Sequence, residues 1–226
     1  MTLRLVPLPA ADAHRWLDPA VHTYVTAMGY PRGTERHRLP LWRDHLRRPG
    51  WYAVGAVMTA SPEDLRRPEA TRLRVDAPWT TTDHDLLVGI AYGYTGGADQ
   101  WWNQQLRNGL RQAGVDPQQI SRLTDDYFEL TELHVHPLAQ GRGVGQQLLS
   151  ALLAGRSESQ VLLSTPEVPR EQNRAWSLYR RMGFHDVLRH FLFTGDPRPF
   201  AFLGRPLPVT PAIHATGQGA DQHAPS

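Results

Sequence analysis

The stretch His134–Leu149, HVHPLAQGRGVGQQLL, constrains this chain more than any other. Glycines alternate at 141, 143 and 145, between an extended β-rich run and a run with helical spacing of apolar residues. Glycine occupies backbone conformations closed to other residues and lets a partner approach the main chain closely. A helix start exposes N–H groups without intrahelical partners, at the positive end of the helix dipole. The junction is therefore built like an anion cradle, suited to phosphate or pyrophosphate.

Three ligand-free or nucleotide readings compete at this point. A P-loop requires Gly-Lys-Ser/Thr, and the chain has no lysine at all. A dinucleotide fingerprint requires GxGxxG early in a βαβ unit with an acidic residue about twenty positions on, whereas the spacing here is GxGxG. A glycine-rich structural turn without a ligand is the plain alternative.

The flanking pattern predicts alternating strands and helices without a regular βαβ repeat. Strands are expected at residues 3–8, 51–58, 85–96, 127–137, 160–165 and 184–193, with one more within 198–207. Helices are expected at about 10–28, 35–48, 144–154 and 171–182, the last two ending on Gly155 and Gly183. Strand, helix, strand, helix, strand across 127–193 implies one parallel pair within an otherwise antiparallel sheet, an α/β (α+β) fold. Residues 61–84 read as an inserted loop, and 98–126 as a second insert holding a short helix. One domain over 1–205 is expected, with 206–226 a disordered tail rich in Pro, Gly, Ala and Gln.

Composition excludes several functions. With no cysteine there is no disulfide, thiolate metal site or cysteine nucleophile. A net charge of +2 with interspersed signs is not the footprint of a nucleic-acid binder. Neither a signal peptide nor a membrane span is evident, so a cytoplasmic protein is expected. His134 and His136 form His-x-His, but two ligands do not make a metal site, and no metal is expected.

The order of a strand ending Val135-x-Pro137, then Gln140-x-x-Gly143-x-Gly145, an amphipathic helix, a short strand and NRAWSLYRRMGF resembles the GCN5-related N-acetyltransferase (GNAT) family. QGRGVG matches the family's Gln/Arg-x-x-Gly-x-Gly/Ala signature, and Asn173, Ala175, Tyr179, Gly183 and Phe184 fall in register with its second block. The resemblance covers about 127–193 and implies acetyl-CoA as co-substrate. It places the pyrophosphate on the backbone of Gln140, Gly141, Arg142, Gly143, Val144 and Gly145. The preceding strand (Leu133, His134, Val135) and Asn173 would meet the rest of the cofactor. Tyr179 falls on the position of the general acid. For the base the strand offers Glu129, with Glu132 in reserve; simple alternation puts these on opposite faces, and a bulge would change that. Trp101 and Trp102 either wall an acceptor pocket or pin the second insert to the body.

The expected activity is direct acetyl transfer to a primary amine of a small molecule or peptide. A homodimer is left open. The rival is a non-catalytic acyl-CoA-binding module of the same fold.

Overall fold

The computed structural model describes residues 2–207. Seven strands form one sheet. β1 (Leu3–Pro7) leads into α1 (Ala13–Met28) and α2 (Glu35–His45), followed by β2 (Tyr52–Thr59). Two one-turn helices, α3 (Pro62–Leu65) and α4 (Ala70–Leu73), precede β3 (Asp85–Thr95). Then come α5 (Trp101–Gln112), α6 (Pro117–Thr124) and β4 (Phe128–Val135). The glycine loop opens α7 (Val144–Leu153); β5 (Gln160–Pro166), α8 (Arg174–Arg181), β6 (His185–Leu192) and β7 (Pro199–Pro206) follow.

The strand order is β1-β2-β3-β4-β5-β7-β6, and only β4 and β5 run parallel. The mixed, mostly antiparallel sheet agrees with expectation. β7, however, inserts between β5 and β6, which precede it in sequence. β7 therefore belongs to the body: Pro206 ends it and Leu207 is buried, so the fold runs past residue 205. The rest of the expected tail lies outside the described residues.

Alternation of side chains divides the core. On one face α7 and α8 cover Phe128, Leu130, Val161, Leu163 and Leu203. On the other, α1 and α2 pack on Ala53, Val57, Leu87 and Ile90, while α5 and α6 pack on Leu162 and Phe202. The two helix pairs on this second face leave a gap over β4.

The inserts are more structured than expected. Residues 61–84 carry two helices, the first with Ser61 and Asp64 as a reciprocal capping box and Pro62 at its first turn. Asp85, fully buried, ties this segment down: it accepts from Arg4 (2.5 Å), Thr59 Oγ1 (2.9 Å) and the backbone N–H groups of Thr81 (2.8 Å) and Thr82 (3.3 Å). Burial acts to raise the Asp85 pKa, but these bonds overcome it and hold the carboxyl well below the usual range. In the second insert Asp116 caps α6, and Asn103 donates to Thr124 O and Tyr127 Oη. No helix among the described residues is long and apolar enough to cross a membrane.

Candidate active site

The glycine loop divides its labour. Gly141 and Gly143 have φ of 77° and 74°, the left-handed region that a side chain disfavours. Gly143 is the N-cap of α7, with no side chain capping the exposed N–H groups. A Cβ at Gly141 would meet nothing within 4 Å, so the space beside the loop is open. Gly145 already lies inside α7, and its place is fixed by packing, since a Cβ there would stand 3.3 Å from Leu178 Cδ2 of α8. Gln140 braces the loop: its Nε2 donates to Val135 O at 2.8 Å, and its Oε1 accepts from Arg174. Arg142 is exposed between the glycines, and its charge reaches Asp64. Asn173 caps α8, accepting from Trp176 N at 2.8 Å.

β4 and β5 pair only at Phe128↔Val161 and Glu129↔Leu162, then part. On the other edge of β4, His136 N donates to Val88 O of β3. Backbone groups on an antiparallel strand alternate in direction, so Leu133 and Val135 turn theirs toward the gap. The His134 ring turns elsewhere. Its Nε2 lies 2.5 Å from Glu132 Oε2, and it packs edge-on to Tyr24 with centroids 4.8 Å apart. His136 turns toward His22 instead, at a centroid distance of 6.3 Å.

The register shift of β4 against β3 answers the question of the two carboxylates. Glu132 pairs with Tyr92 and Leu130 with Gly93, leaving Thr131 unpaired as a bulge. The extra residue restores parity and puts Glu129 and Glu132 on the same face. Gly93 permits this, because a Cβ there would lie 2.1 Å from Glu129 O.

Both glutamates line a cleft of about 500 Å³ between α2 and α5. Glu129 is 2% exposed; Tyr94 Oη donates to its Oε1 at 3.0 Å, and its Oε2 is buried with no partner among the described residues. Burial pushes its pKa up to about 7 against the Tyr94 hydrogen bond. Arg38, Leu41, His45 and Arg48 form one wall; Trp101, Trp102, Phe193 and Phe200 form the other. Burial, with Arg48 nearby, lowers His45 to about 4, so it is neutral, with Nδ1 3.0 Å from Tyr92 Oη. Both tryptophans line this cleft. Trp102 is pinned by Nε1 to Ser164 Oγ at 3.0 Å, while Trp101 is 56% exposed at the mouth.

Tyr179 stands on the opposite face, on α8, 8% exposed and packed against Phe184 at 5.6 Å between centroids. Its hydroxyl makes no hydrogen bond among the described residues, and burial together with the charge of Glu132 raises its pKa, so it stays protonated.

Tyr94, His45, Arg38 and Arg48 were not singled out by sequence. They reach the site only through the pairing of β3 with β4 and the docking of α2, and no local motif marks them.

Residues 112–186 match the family model described as an acetyltransferase (GNAT) domain. A GCN5-like protein acetyltransferase of Mycobacterium tuberculosis is 50% identical over 209 residues, covering 92% of this chain and all of the relative. Among solved structures, an acetyltransferase from Thermus thermophilus superposes with a TM-score of 0.52 at 17% identity, covering 92% of this chain and 98% of that one. A Salmonella typhimurium protein solved with acetyl-CoA gives a TM-score of 0.50 at 13% identity over 100% and 98% of the two chains. These two likenesses concern the fold alone.

Proposed function

Since the chain belongs to the GCN5-related N-acetyltransferase family and is thereby an acyltransferase, we propose that it moves the acetyl group of acetyl-CoA directly onto a primary amine of a polypeptide. The observation that carries this reading is the parting of β4 from β5, with an uncapped helix N-terminus and two positive-φ glycines beside one end and the Glu129–Glu132 bulge at the other. A polypeptide acceptor is supported by the relative's name, a protein acetyltransferase.

Acetyl-CoA fits the residues present. Gly141, Gly143 and the first N–H groups of α7 would receive its pyrophosphate, and the outward edge of β4 at Leu133 and the Val135 N–H its amide-bearing arm, the Val135 carbonyl being taken by Gln140. The co-substrate supplies an acetyl group activated as a thioester. The chain supplies proton handling and position. A free amine with pKa near ~10 is mostly protonated at neutral pH. Glu129, with its free oxygen and a pKa of about 7, accepts that proton. Glu132, held by His134, keeps a second carboxylate in the same cleft. Tyr179 Oη retains its proton at neutral pH and donates it to the departing sulfur. No acyl-enzyme is needed, because there is no cysteine to carry one. A module that only bound acyl-CoA would have no use for a buried carboxylate with one unsatisfied oxygen, which costs stability.

The test is release of free CoA thiol from acetyl-CoA, read with a thiol reagent, in the presence of lysine-containing peptides whose acetylation is followed by mass spectrometry. Acetylated peptide with stoichiometric thiol release is the expected result. Tight acetyl-CoA binding without turnover on any peptide or amine would leave the binding module instead.

A further inference from the structure

Resting on the acetyl-transfer reading above, we propose that the acceptor is a lysine side chain within an acidic stretch of polypeptide, its flanking carboxylates held by Arg38 and Arg48. Arg38 on α2 and Arg48 in the turn after it share one wall of the cleft. Both are half-buried; neither guanidinium makes an ion pair or a hydrogen bond among the described residues, although the Arg48 charge reaches Glu129. Other partly buried arginines have partners: Arg4, Arg107, Arg156, Arg180 and Arg189 engage carboxylates, and Arg205 donates to Met182 O. Arg38 instead lies over the Tyr24 ring at 5.1 Å and Arg48 over Tyr94 at 5.2 Å. Cation–π contact holds a guanidinium in place while leaving its in-plane N–H donors available to a carboxylate.

The remaining lining selects what lies between those carboxylates. Glu129 and Glu132 make a negative floor suited to an ammonium group, and Glu129 is almost wholly buried. A group that reaches it passes Trp102, Phe193 and Phe200, an apolar passage that suits the methylenes of lysine. An α-amine has no such stem. At the mouth Trp101 and Leu41 are exposed, 56% and 42%, and offer apolar surface to the chain around the lysine.

The experiment uses the full chain with acetyl-CoA and four peptides. Three have a blocked N-terminus and one central lysine, flanked by Glu and Asp, by Ser and Gly, or by Arg. The fourth has a free N-terminus and no lysine. The enzyme itself has no lysine, so product label on side chains belongs to the peptide. The acidic peptide is expected to exceed the neutral one in kcat/KM by about tenfold, the scale of two partly exposed charge contacts. The preference should shrink as ionic strength rises. Arg38→Gln/Arg48→Gln should erase it, and Arg38→Glu/Arg48→Glu should reverse it toward the Arg-flanked peptide. Equal rates on the acidic and Arg-flanked peptides with the wild-type chain overturn the proposal without any variant having to fold. Acetylation of the fourth peptide alone overturns the lysine assignment and leaves acetyl transfer intact. Failure on all four, with acetyl-CoA still raising the melting temperature, removes the polypeptide reading itself.

Discussion

Tyr94 and Glu129 face each other across the β3–β4 ladder, and the Tyr94 hydroxyl satisfies one oxygen of the carboxylate at 3.0 Å while the other stays buried and unpartnered. Half-satisfaction sets both the chemistry and its energetic cost.

Folding raises the Glu129 pKa from an ordinary 4.5 to about 7. The sign is opposite to that of a salt-bridged carboxylate: the folded state holds the proton more tightly, so the group opposes folding as pH climbs from 4.5 to 7 and fully above 7. Glu129→Gln should therefore gain stability relative to wild type by roughly 2–4 kcal/mol between pH 4.5 and pH 8. Urea melts of both proteins at the two pH values check this. A pH-independent difference would mean the carboxylate is solvated. The same substitution should remove the acidic limb near pH 7 from the kcat/KM profile.

Tyr179→Phe should leave stability nearly unchanged, because the hydroxyl has no hydrogen-bond partner among the described residues to lose. Its kcat should fall roughly 10²–10⁴-fold if the hydroxyl serves as the general acid. Acetyl-CoA affinity should shift by no more than about 1 kcal/mol. Turnover at the wild-type rate would hand protonation of the sulfur to water.

Gly143→Ala meets no atom nearer than Gln147 Nε2 at 3.8 Å, so it should cost only the left-handed strain, about 1–2 kcal/mol. Gly143→Glu adds a carboxylate where a pyrophosphate would sit, and should abolish the rise in melting temperature that acetyl-CoA gives. A retained rise in a folded Gly143→Glu protein would place the co-substrate elsewhere.

Asp85→Ala strips partners from Arg4, Thr59, Thr81 and Thr82 at once and should cost about 3–5 kcal/mol, the scale of breaking a buried ion pair. Because its folded pKa is depressed, its contribution is present above about pH 4 and lost as pH falls below it. The loss in the variant should therefore narrow in acid, which melting curves from pH 7 down to pH 3 would reveal.

Local signals were legible wherever a residue answers to its own neighbours in sequence. Gly143 at a helix start and the parallel β4–β5 pair both followed from spacing. The helices at Pro62–Leu65 and Pro117–Thr124 were missed, although Ser61-Pro-Glu-Asp64 and Asp116-Pro carry helix-start signals, because composition suggested loop. The bulge at Thr131 was not legible, since a single unpaired residue changes no pattern until the register with β3 is known. Nor was the company of Glu129: Tyr94, His45 and Arg48 lie tens of residues away and converge only through sheet order and helix docking.

The place of β7 carries a consequence for biosynthesis. β5 has two residue pairs with β4 and seven with β7, and β6 reaches the sheet only through β7. A nascent chain that has emerged only as far as β6 therefore presents an open, apolar β5 edge and lacks Phe200 from its cleft. The described sheet closes, and the cleft gains Phe200, only when residues 199–206 have left the ribosome. Pairing in this half of the sheet thus runs against chain order, with β5 and β6 both waiting on the strand that follows them.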